Sequence, residues 1–585
     1  METKMINLKI NGIAVSVPEG TTILDAARKA SIDIPTLCYL KEINEIGACR
    51  MCVVELKGSP KLATACVFPV SEGMEVITNS KRVFDARRTN LQLLLSNHRR
   101  ECLSCIRSGS CELQKLCHDY AVDDEGKFDG AMTPANLDTS ATHMVRDNSK
   151  CILCRRCVAV CDKYQDAAVI GVNKRGFNTH IGCEFDKPLN TVACVECGQC
   201  IVACPTGALY EKDQTEEVWA ALRDPEKRVV VQTAPSVRAG LGECFGMPIG
   251  TNVEGKMAAA LRRLGFDDVF DTNLSADLTI VEEANELVER IKTGGTLPMI
   301  TSCSPGWINY CEHYYPEFIP NLSTCKSPQQ MFGALTKSWY ADKLGIDPKS
   351  IYMVSIMPCT AKKFERGRDG QSAMGVPDVD VALTTRELGR MIERAGIDFV
   401  NLPDEVFDEP LGISTGAGVI FGATGGVMEA ALRTAAEWIT GDSAAPLEFK
   451  EVRGIAGVKE ATYHVGDLTL NVAVASGLKN AKEVLESVKR GEKNYQFIEI
   501  MCCPGGCVNG GGQPIVPASV RNNVDVRTLR AKALYSEDEA KTLRKSHNNP
   551  VLKEVYKTYL EKPGSEKAHH LLHTHYAAKN RFMGE

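Results

Sequence analysis

The sequence predicts a multidomain α+β chain, with small cysteine-rich modules before residue 224 and one large α/β domain after it. Three observations carry this expectation. The 585 residues exceed what one hydrophobic core supports. The pattern C-x2-C-x2-C-x3-C occurs twice, at Cys151, Cys154, Cys157 and Cys161 and again at Cys194, Cys197, Cys200 and Cys204, which is an internal repeat. Beyond Asp224, apolar β-rich runs alternate with helical stretches, the texture of a layered α/β domain.

Taken in order, LKINGIAVSV alternates apolar and polar residues about Asn11-Gly12, the turn pair of a tight hairpin. TTILDAARKA follows as a helix capped by Thr22, with Asp25 three residues on. Strand, turn, strand and helix predict a small β-grasp module over 1–79, which holds Cys38, Cys49, Cys52 and Cys66 at C-x10-C-x2-C-x13-C spacing. A helical pattern over 80–119 carries NHRRECLSCIRSGSC, with His98 one helical turn ahead of Cys102, then Cys105 and Cys111. Residues 123–147 are polar and rich in turn formers and read as a linker or surface loop. The cysteine repeat occupies a module over 141–213. From 224 to 585, RVVVQTAPS, TLPMITSC, SIYMVSIMPC and QFIEIMCC each read as a strand ending at a cysteine or small polar turn, with helices such as ANELVERIK between them. A site at the strand ends is expected. The segment from Asp525 reads as helical.

Composition removes several function classes. With 44% hydrophobic and 24% charged residues and a net charge of -6, the scattered basic pairs such as Arg99-Arg100 make no nucleic-acid surface. No apolar run reaches the ~18 residues of a membrane span, and METKMINLKING lacks both a secretory core and a twin arginine. The expected location is therefore the cytoplasm, where thiols stay reduced, so the 25 cysteines read as metal ligands rather than disulfides.

In the C-x2-C-x2-C-x3-C-P pattern, three close cysteines bind three corners of a cubane while the fourth serves the neighbouring cluster. This assigns Cys151, Cys154, Cys157 and Cys204 to one [4Fe-4S] cluster and Cys194, Cys197, Cys200 and Cys161 to a second. Structural zinc is the competing reading. The four N-terminal cysteines resemble a [2Fe-2S] ferredoxin module, although the gap of ten replaces the plant spacing of four. That gap matches the ferredoxin-like module of complex I and hydrogenase subunits, against a zinc ribbon as the alternative. The set H-x3-C-x2-C-x5-C resembles the His-ligated [4Fe-4S] cluster of the same two families, which implies His98, Cys102, Cys105 and Cys111 as ligands; a lone structural histidine is the alternative.

Three stretches of the large domain, TSCSPGW, MPCTAKKFE and EIMCCPGGCVNGGGQP, resemble the three signatures of [FeFe]-hydrogenases, and the likeness extends over nearly the whole chain. The resemblance implies an H-cluster, a [4Fe-4S] cubane on four cysteines that shares one thiolate with a two-iron centre carrying CO, cyanide and a bridging azadithiolate. On matching positions Cys359, Cys503 and Cys507 become cubane ligands, with Cys507 the bridge; Lys362 pairs with a cyanide, and Met357 and Met501 cover the diiron side. Without the resemblance, Lys362 reads as surface charge and the methionines as core. Soft thiolates suit a redox cubane, and the glycines after Cys507 let backbone approach a bulky inorganic ligand.

The family's first signature has two adjacent cysteines, the first relaying protons and the second ligating the cubane. Here Cys303 is followed by Ser304. A serine hydroxyl is a hard, poor substitute for a thiolate, whereas a thiol of reference pKa about 8.5 is readily lowered by a metal. Two assignments stay open: Ser304 binds iron through oxygen, or Cys303 turns to the iron and Ser304 joins the proton route, which the softness of sulfur favours. The resemblance further places Glu283, Ser323, Glu286 and Arg290 on the proton path; Glu286 and Arg290 lie four apart on one helix face, and a solvated amphipathic helix is the competing reading. Cys117, Cys183, Cys244, Cys311, Cys325 and Cys502 remain unassigned and read as small buried hydrophobes.

The expected function is reversible oxidation of H2, with electrons relayed through one [2Fe-2S] and three [4Fe-4S] clusters. No G-x-G-x-x-G opens a βαβ unit, and GISTGAGVIFGATGG lacks that spacing, so flavin and nicotinamide are expected elsewhere. The likeness to the catalytic subunit of multisubunit NADP-reducing hydrogenases implies a flavin- and NAD(P)-binding subunit and small [2Fe-2S] subunits as partners, with ferredoxin as a further acceptor. Two rivals stand beside this reading. A non-catalytic electron-transfer subunit would share residues 1–220 but have no need of Cys359, Cys503 and Cys507. A hydrogen sensor or iron-sulfur assembly protein would tolerate the change at Ser304.

Overall fold

The structure is a computed structural model that describes residues 4–122, 127–128, 132, 136–444, 446–466 and 468–580. At the N-terminus β1 (Met5–Ile10) and β2 (Ile13–Pro18) pair antiparallel with Ile10 opposite Ile13. Asn11 and Gly12 both have positive φ, 50° and 83°, as a two-residue hairpin turn of this twist requires. Thr22 accepts a hydrogen bond from the Asp25 amide at 3.2 Å and caps the helix Ile23–Lys29. Strands β3 (Val53–Leu56), β4 (Leu62–Thr64) and β5 (Glu75–Ile77) complete a sheet of order β2-β1-β5-β3-β4. Ile6, Leu8 and Ile10 alternate into its core.

The next module holds two helices, Lys81–Leu95 and Glu112–Asp119, but the segment between them is a succession of turns. His98 and Cys102 therefore do not sit a helical turn apart. The serines explain the difference: Ser104 Oγ donates to the Glu101 carbonyl and Ser110 Oγ to that of Arg107, local bonds that compete with a helix.

The linker expected over 123–147 lies partly outside the described residues. Its described end is structural rather than a loop, forming β6 (Leu137–Asp138) and β7 (Met144–Asp147). The Asp138 carboxylate accepts from the Ser140 and Leu189 amides and from Arg146, so its polarity closes turns. After the hairpin of β8 (Gly171–Asn173) and β9 (His180–Gly182), β10 (Leu209–Glu211) pairs with β7. The cysteine repeat is a backbone repeat too. Leu153 and Arg155 in the first copy, and Glu196 and Gly198 in the second, all take left-handed φ, and each pair leads into a short helix, Arg156–Lys163 or Gln199–Ala203. Glycine replaces arginine in the second copy because the large domain packs there: a Cβ on Gly198 would lie 2.4 Å from Thr360 Oγ1.

The large domain contains two four-stranded sheets. In the first, β11 (Arg228–Thr233), β12 (Asp268–Asp271), β14 (Ile351–Met357) and β15 (Val381–Thr384) run parallel in the order β12-β11-β14-β15. In the second, β13 (Met299–Ile300), β18 (Phe497–Met501) and β17 (Leu468–Ser476) are parallel, with β16 (Val458–Val465) antiparallel at the edge. The four apolar runs noted in the sequence are β11, β13, β14 and β18; buried on both faces, they read as continuous apolar segments. The C-terminal helix Val526–Ala540 is tied to the core through fully buried Arg433, which donates to both Asp538 oxygens at 2.8 Å. HHLLHTH is helical as far as Leu572.

The docking of the cysteine-repeat module on the large domain leaves no room for a side chain at Gly511, where a Cβ would lie 2.1 Å from the Cys197 carbonyl oxygen. Gly511→Ala is expected to destabilise this contact by about 1–3 kcal/mol, read as a lowered anaerobic thermal midpoint against wild type.

Candidate metal centre

The carboxyl ends of β11, β13, β14 and β18 converge on one apolar cavity. Cys303 and Ser304 enter it after β13, Cys359 and Lys362 after β14, and Cys502, Cys503 and Cys507 after β18, while Met357 and Met501 end their strands in its wall. The methionines are 3% and 2% exposed and give the cavity a soft, apolar lining. Burial pushes the Cys507 thiol up to about 12, with Cys503 as a further cause and Lys362 acting against it. Lys362 is not surface charge: its Nζ is held by Glu365 Oε2 at 2.8 Å and the Cys303 carbonyl at 3.3 Å. Three thiols, one ammonium and an apolar cover, shut away from water, are the donor set a thiolate-bound cubane needs.

The glycines after Cys507 have a different purpose from the one expected. A Cβ on Gly510 would meet the Pro358 carbonyl oxygen at 2.0 Å, and one on Gly512 the Pro358 carbon at 2.9 Å. Their smallness lets three backbone segments pack together, which sets the Cys197 loop against the cavity wall.

Two smaller cavities match the cysteine repeat. One of about 380 Å³ is lined by Cys151, Cys154, Cys157 and Cys204, and one of about 500 Å³ by Cys161, Cys194, Cys197 and Cys200. In both, a left-handed turn aims an amide at a ligand sulfur: Leu153 N at Cys151 Sγ and Glu196 N at Cys194 Sγ, each 3.4 Å. Such bonds raise cluster potentials. In the N-terminal module the Cys38 and Cys49 thiols lie within hydrogen-bonding reach of each other, as do those of Cys52 and Cys66. His98 is mostly buried, its pKa lowered first by desolvation, and its Nδ1 has no hydrogen-bond partner among the described residues. A neutral, unpartnered imidazole nitrogen fits a metal ligand.

A chain of polar side chains leads away from Cys303. The carboxylate acting most strongly on its thiol is Glu283. Glu283 is fully buried, and neither of its oxygens has a hydrogen-bond partner among the described residues. Burial first, then the neighbouring Glu286, pushes its carboxyl from 4.5 up to about 8. Ser323 Oγ donates to Glu286 Oε2 at 2.9 Å, and Arg290 pairs with Glu286 Oε1 at 2.6 Å. The carrying helix, Asn273–Thr293, is buried through Ala284 and only then becomes amphipathic, so the solvated-helix reading fails at Glu283. Glu283, Cys507 and Lys362 are the charged groups that act most strongly on Cys303, so its thiol borders both this route and the other thiols of the cavity.

Ser236, Gln329 and Cys502 also line the cavity and were not singled out as site residues. The doubled cysteine in EIMCC was the available signal for Cys502; Ser236 and Gln329 come from the first turns of the helices Pro235–Arg238 and Pro328–Leu335, whose placement depends on distant strands.

Residues 227–511 match the family described as iron only hydrogenase large subunit, C-terminal domain, and 524–579 match iron hydrogenase small subunit. Residues 3–81 match a 2Fe-2S cluster binding domain, 87–125 the NADH-ubiquinone oxidoreductase-G iron-sulfur binding region, and 188–210 a 4Fe-4S binding domain. The chain belongs to the iron-only, or [FeFe]-, hydrogenases, oxidoreductases that act on H2. It is 50% identical to the NADP-reducing hydrogenase subunit HndD of Solidesulfovibrio fructosivorans, over 99% of this chain and 100% of that one. It is 45% identical to iron hydrogenase 1 of Clostridium pasteurianum, over 98% and 100%. An apo [FeFe]-hydrogenase structure from Chlamydomonas reinhardtii superposes with a TM-score of 0.56 at 44% identity, covering 63% of this chain and 100% of that one.

A carboxyl that titrates near 8 keeps its proton below that pH and can accept another only above it. H2 uptake is therefore expected to climb as pH rises through about 8. Glu283→Gln should cost ~10²–10⁴-fold in turnover and abolish this pH step, with iron content unchanged, in anaerobic dye-reduction assays.

Proposed function

We propose that the chain is the H2-oxidising subunit of a hetero-oligomer that passes electrons to a flavin- and NAD(P)-binding subunit, with small [2Fe-2S] subunits between them. The observation that carries the catalytic reading is the meeting of Cys359, Cys503, Cys507 and Lys362 with the Cys303–Glu283 route in one buried cavity. An H-cluster held there would supply an open iron and a basic amine for the cleavage of H2, whose net products are two protons and two electrons. Cys359, Cys503 and Cys507 would hold its cubane. The Lys362 ammonium neutralises an anionic ligand, and Met357 and Met501 exclude water. Cys303 takes the proton and hands it to Glu283; Ser323 and Glu286 carry it on to Arg290 near the surface.

Electrons leave by the opposite wall, through two cysteine-repeat [4Fe-4S] clusters, a His98-ligated [4Fe-4S] cluster and a β-grasp [2Fe-2S] cluster. The route branches. Asn44 Nδ2 bridges the Cys38 carbonyl (2.7 Å) and the Cys154 carbonyl (3.0 Å), which sets the [2Fe-2S] module beside the first repeat cluster. Glu112 pairs with Arg156 at 2.8 Å, and Cys105 packs on Gly207, which sets the His98 module beside the same cluster. Each branch offers a docking point for a different electron partner, ferredoxin among them. The NADP named for the relative above supports a pyridine nucleotide at one of them. No described helix is long and apolar enough to cross a membrane, and all 25 cysteines are unpaired, in keeping with a reducing cytoplasm.

The test is H2-dependent viologen reduction by the anaerobically matured chain. Wild type is expected to turn over. Cys303→Ala should keep its iron and lose ~10²-fold or more. NADP reduction should need the flavoprotein added back. An iron-replete, matured chain without H2 chemistry would make this a wire or a sensor.

A further inference from the structure

The cubane site as assigned has three thiolates, Cys359, Cys503 and Cys507, and a serine where the first signature should bring a fourth. Neither candidate in that signature suits iron. The Ser304 hydroxyl is hard, and its oxygen already accepts the Cys502 amide at 3.2 Å. Cys303 packs in the apolar cluster that holds Met501 and Phe421, and Glu283 is the charge that acts on it most strongly, which suits the proton route.

Cys502 occupies the vacant quadrant. Its side chain is 4% exposed and lines the same cavity as the three thiolates, and its thiol lies within hydrogen-bonding reach of Cys503. It also sits directly against the first signature: a Cβ on Gly306 would come within 2.7 Å of Cys502 Sγ. That is the space which a longer side chain beside Ser304 would otherwise enter. Neighbouring residues in a strand point to opposite faces, but β18 ends at Met501. Cys502 and Cys503 follow it in a bend, so both sulfurs can serve one ligand.

We propose that Cys502 supplies the fourth thiolate of the cubane in place of Ser304, making the ligand set Cys359, Cys502, Cys503 and Cys507 and leaving Cys303 free as the proton relay. The inference rests on the H-cluster reading above. Ligation exchanges one S–H bond for an S–Fe bond and releases one proton, with no change of oxidation state. It also places a cubane ligand against Cys197, a ligand of the nearest accessory cluster, and so shortens the electron's exit.

The experiment uses the full chain carrying its iron-sulfur clusters but not the two-iron centre, with iron and sulfide counted and the reduced cubane followed by electron paramagnetic resonance. Cys502→Ala is expected to lose the cubane's iron and signal while the accessory clusters stay. Ser304→Ala and Cys303→Ala should keep both. The double variant Ser304→Cys/Cys502→Ala should recover the cubane, which separates lost ligation from lost folding. Full iron and an unshifted signal in Cys502→Ala would overturn the assignment. So would a double variant that fails to recover, or loss of the cubane in Ser304→Ala or Cys303→Ala. If wild type keeps its cubane but, once matured, shows no H2 chemistry, the functional reading falls and the ligation stands.

Discussion

Thiols buried in apolar surroundings are the constraint on which the rest of this structure depends. Cys157, Cys194, Cys200 and Cys303 are all driven well above their ordinary pKa, first by burial. An apolar cavity lined this way is costly to an anionic thiolate and tolerable once a metal takes the charge. Folding and cluster binding are therefore one event in the cysteine modules. The parallel strands β11, β13, β14 and β18 carry the main cavity on a rigid frame that does not share this dependence, because their cores are aliphatic.

The cavity's two walls separate the two products of H2 oxidation. On one side, Gly198 and Gly511 touch backbone to backbone, which brings the Cys197 loop directly against the cavity wall. On the other, Glu283 stands alone in an apolar wall, where its raised pKa lets it exchange protons near neutrality. Mixing the routes would return protons and electrons to the same place. The buried first half of the helix Asn273–Thr293 keeps water from joining them.

Much of this was legible in the sequence where the signal is local. Asn11-Gly12, the Thr22 cap, the cysteine repeat and the three strand-end cysteine motifs all depend on neighbours within a few residues. Non-local features were misread. The glycines after Cys507 answer to Pro358 and Cys197, which no window of sequence brings near. The turns between Ser96 and Cys111 follow serine-to-backbone bonds that helical periodicity does not register. Lys362 is indistinguishable from a surface lysine until Glu365 and the Cys303 carbonyl are seen around it. Cys502 passed as filler because its meaning depends on Ser304, almost two hundred residues away along the chain.

The cavity at the ends of β11, β13, β14 and β18 is where we propose that the H2-reactive centre sits. Infrared spectroscopy of the matured full chain tests it most directly, since CO and cyanide stretches fall where protein and water are nearly transparent. The account predicts such bands, shifting reversibly when argon is exchanged for H2 and displaced in the cyanide region alone by Lys362→Met. A matured, iron-replete chain with no such bands, or with bands indifferent to H2, would contradict it.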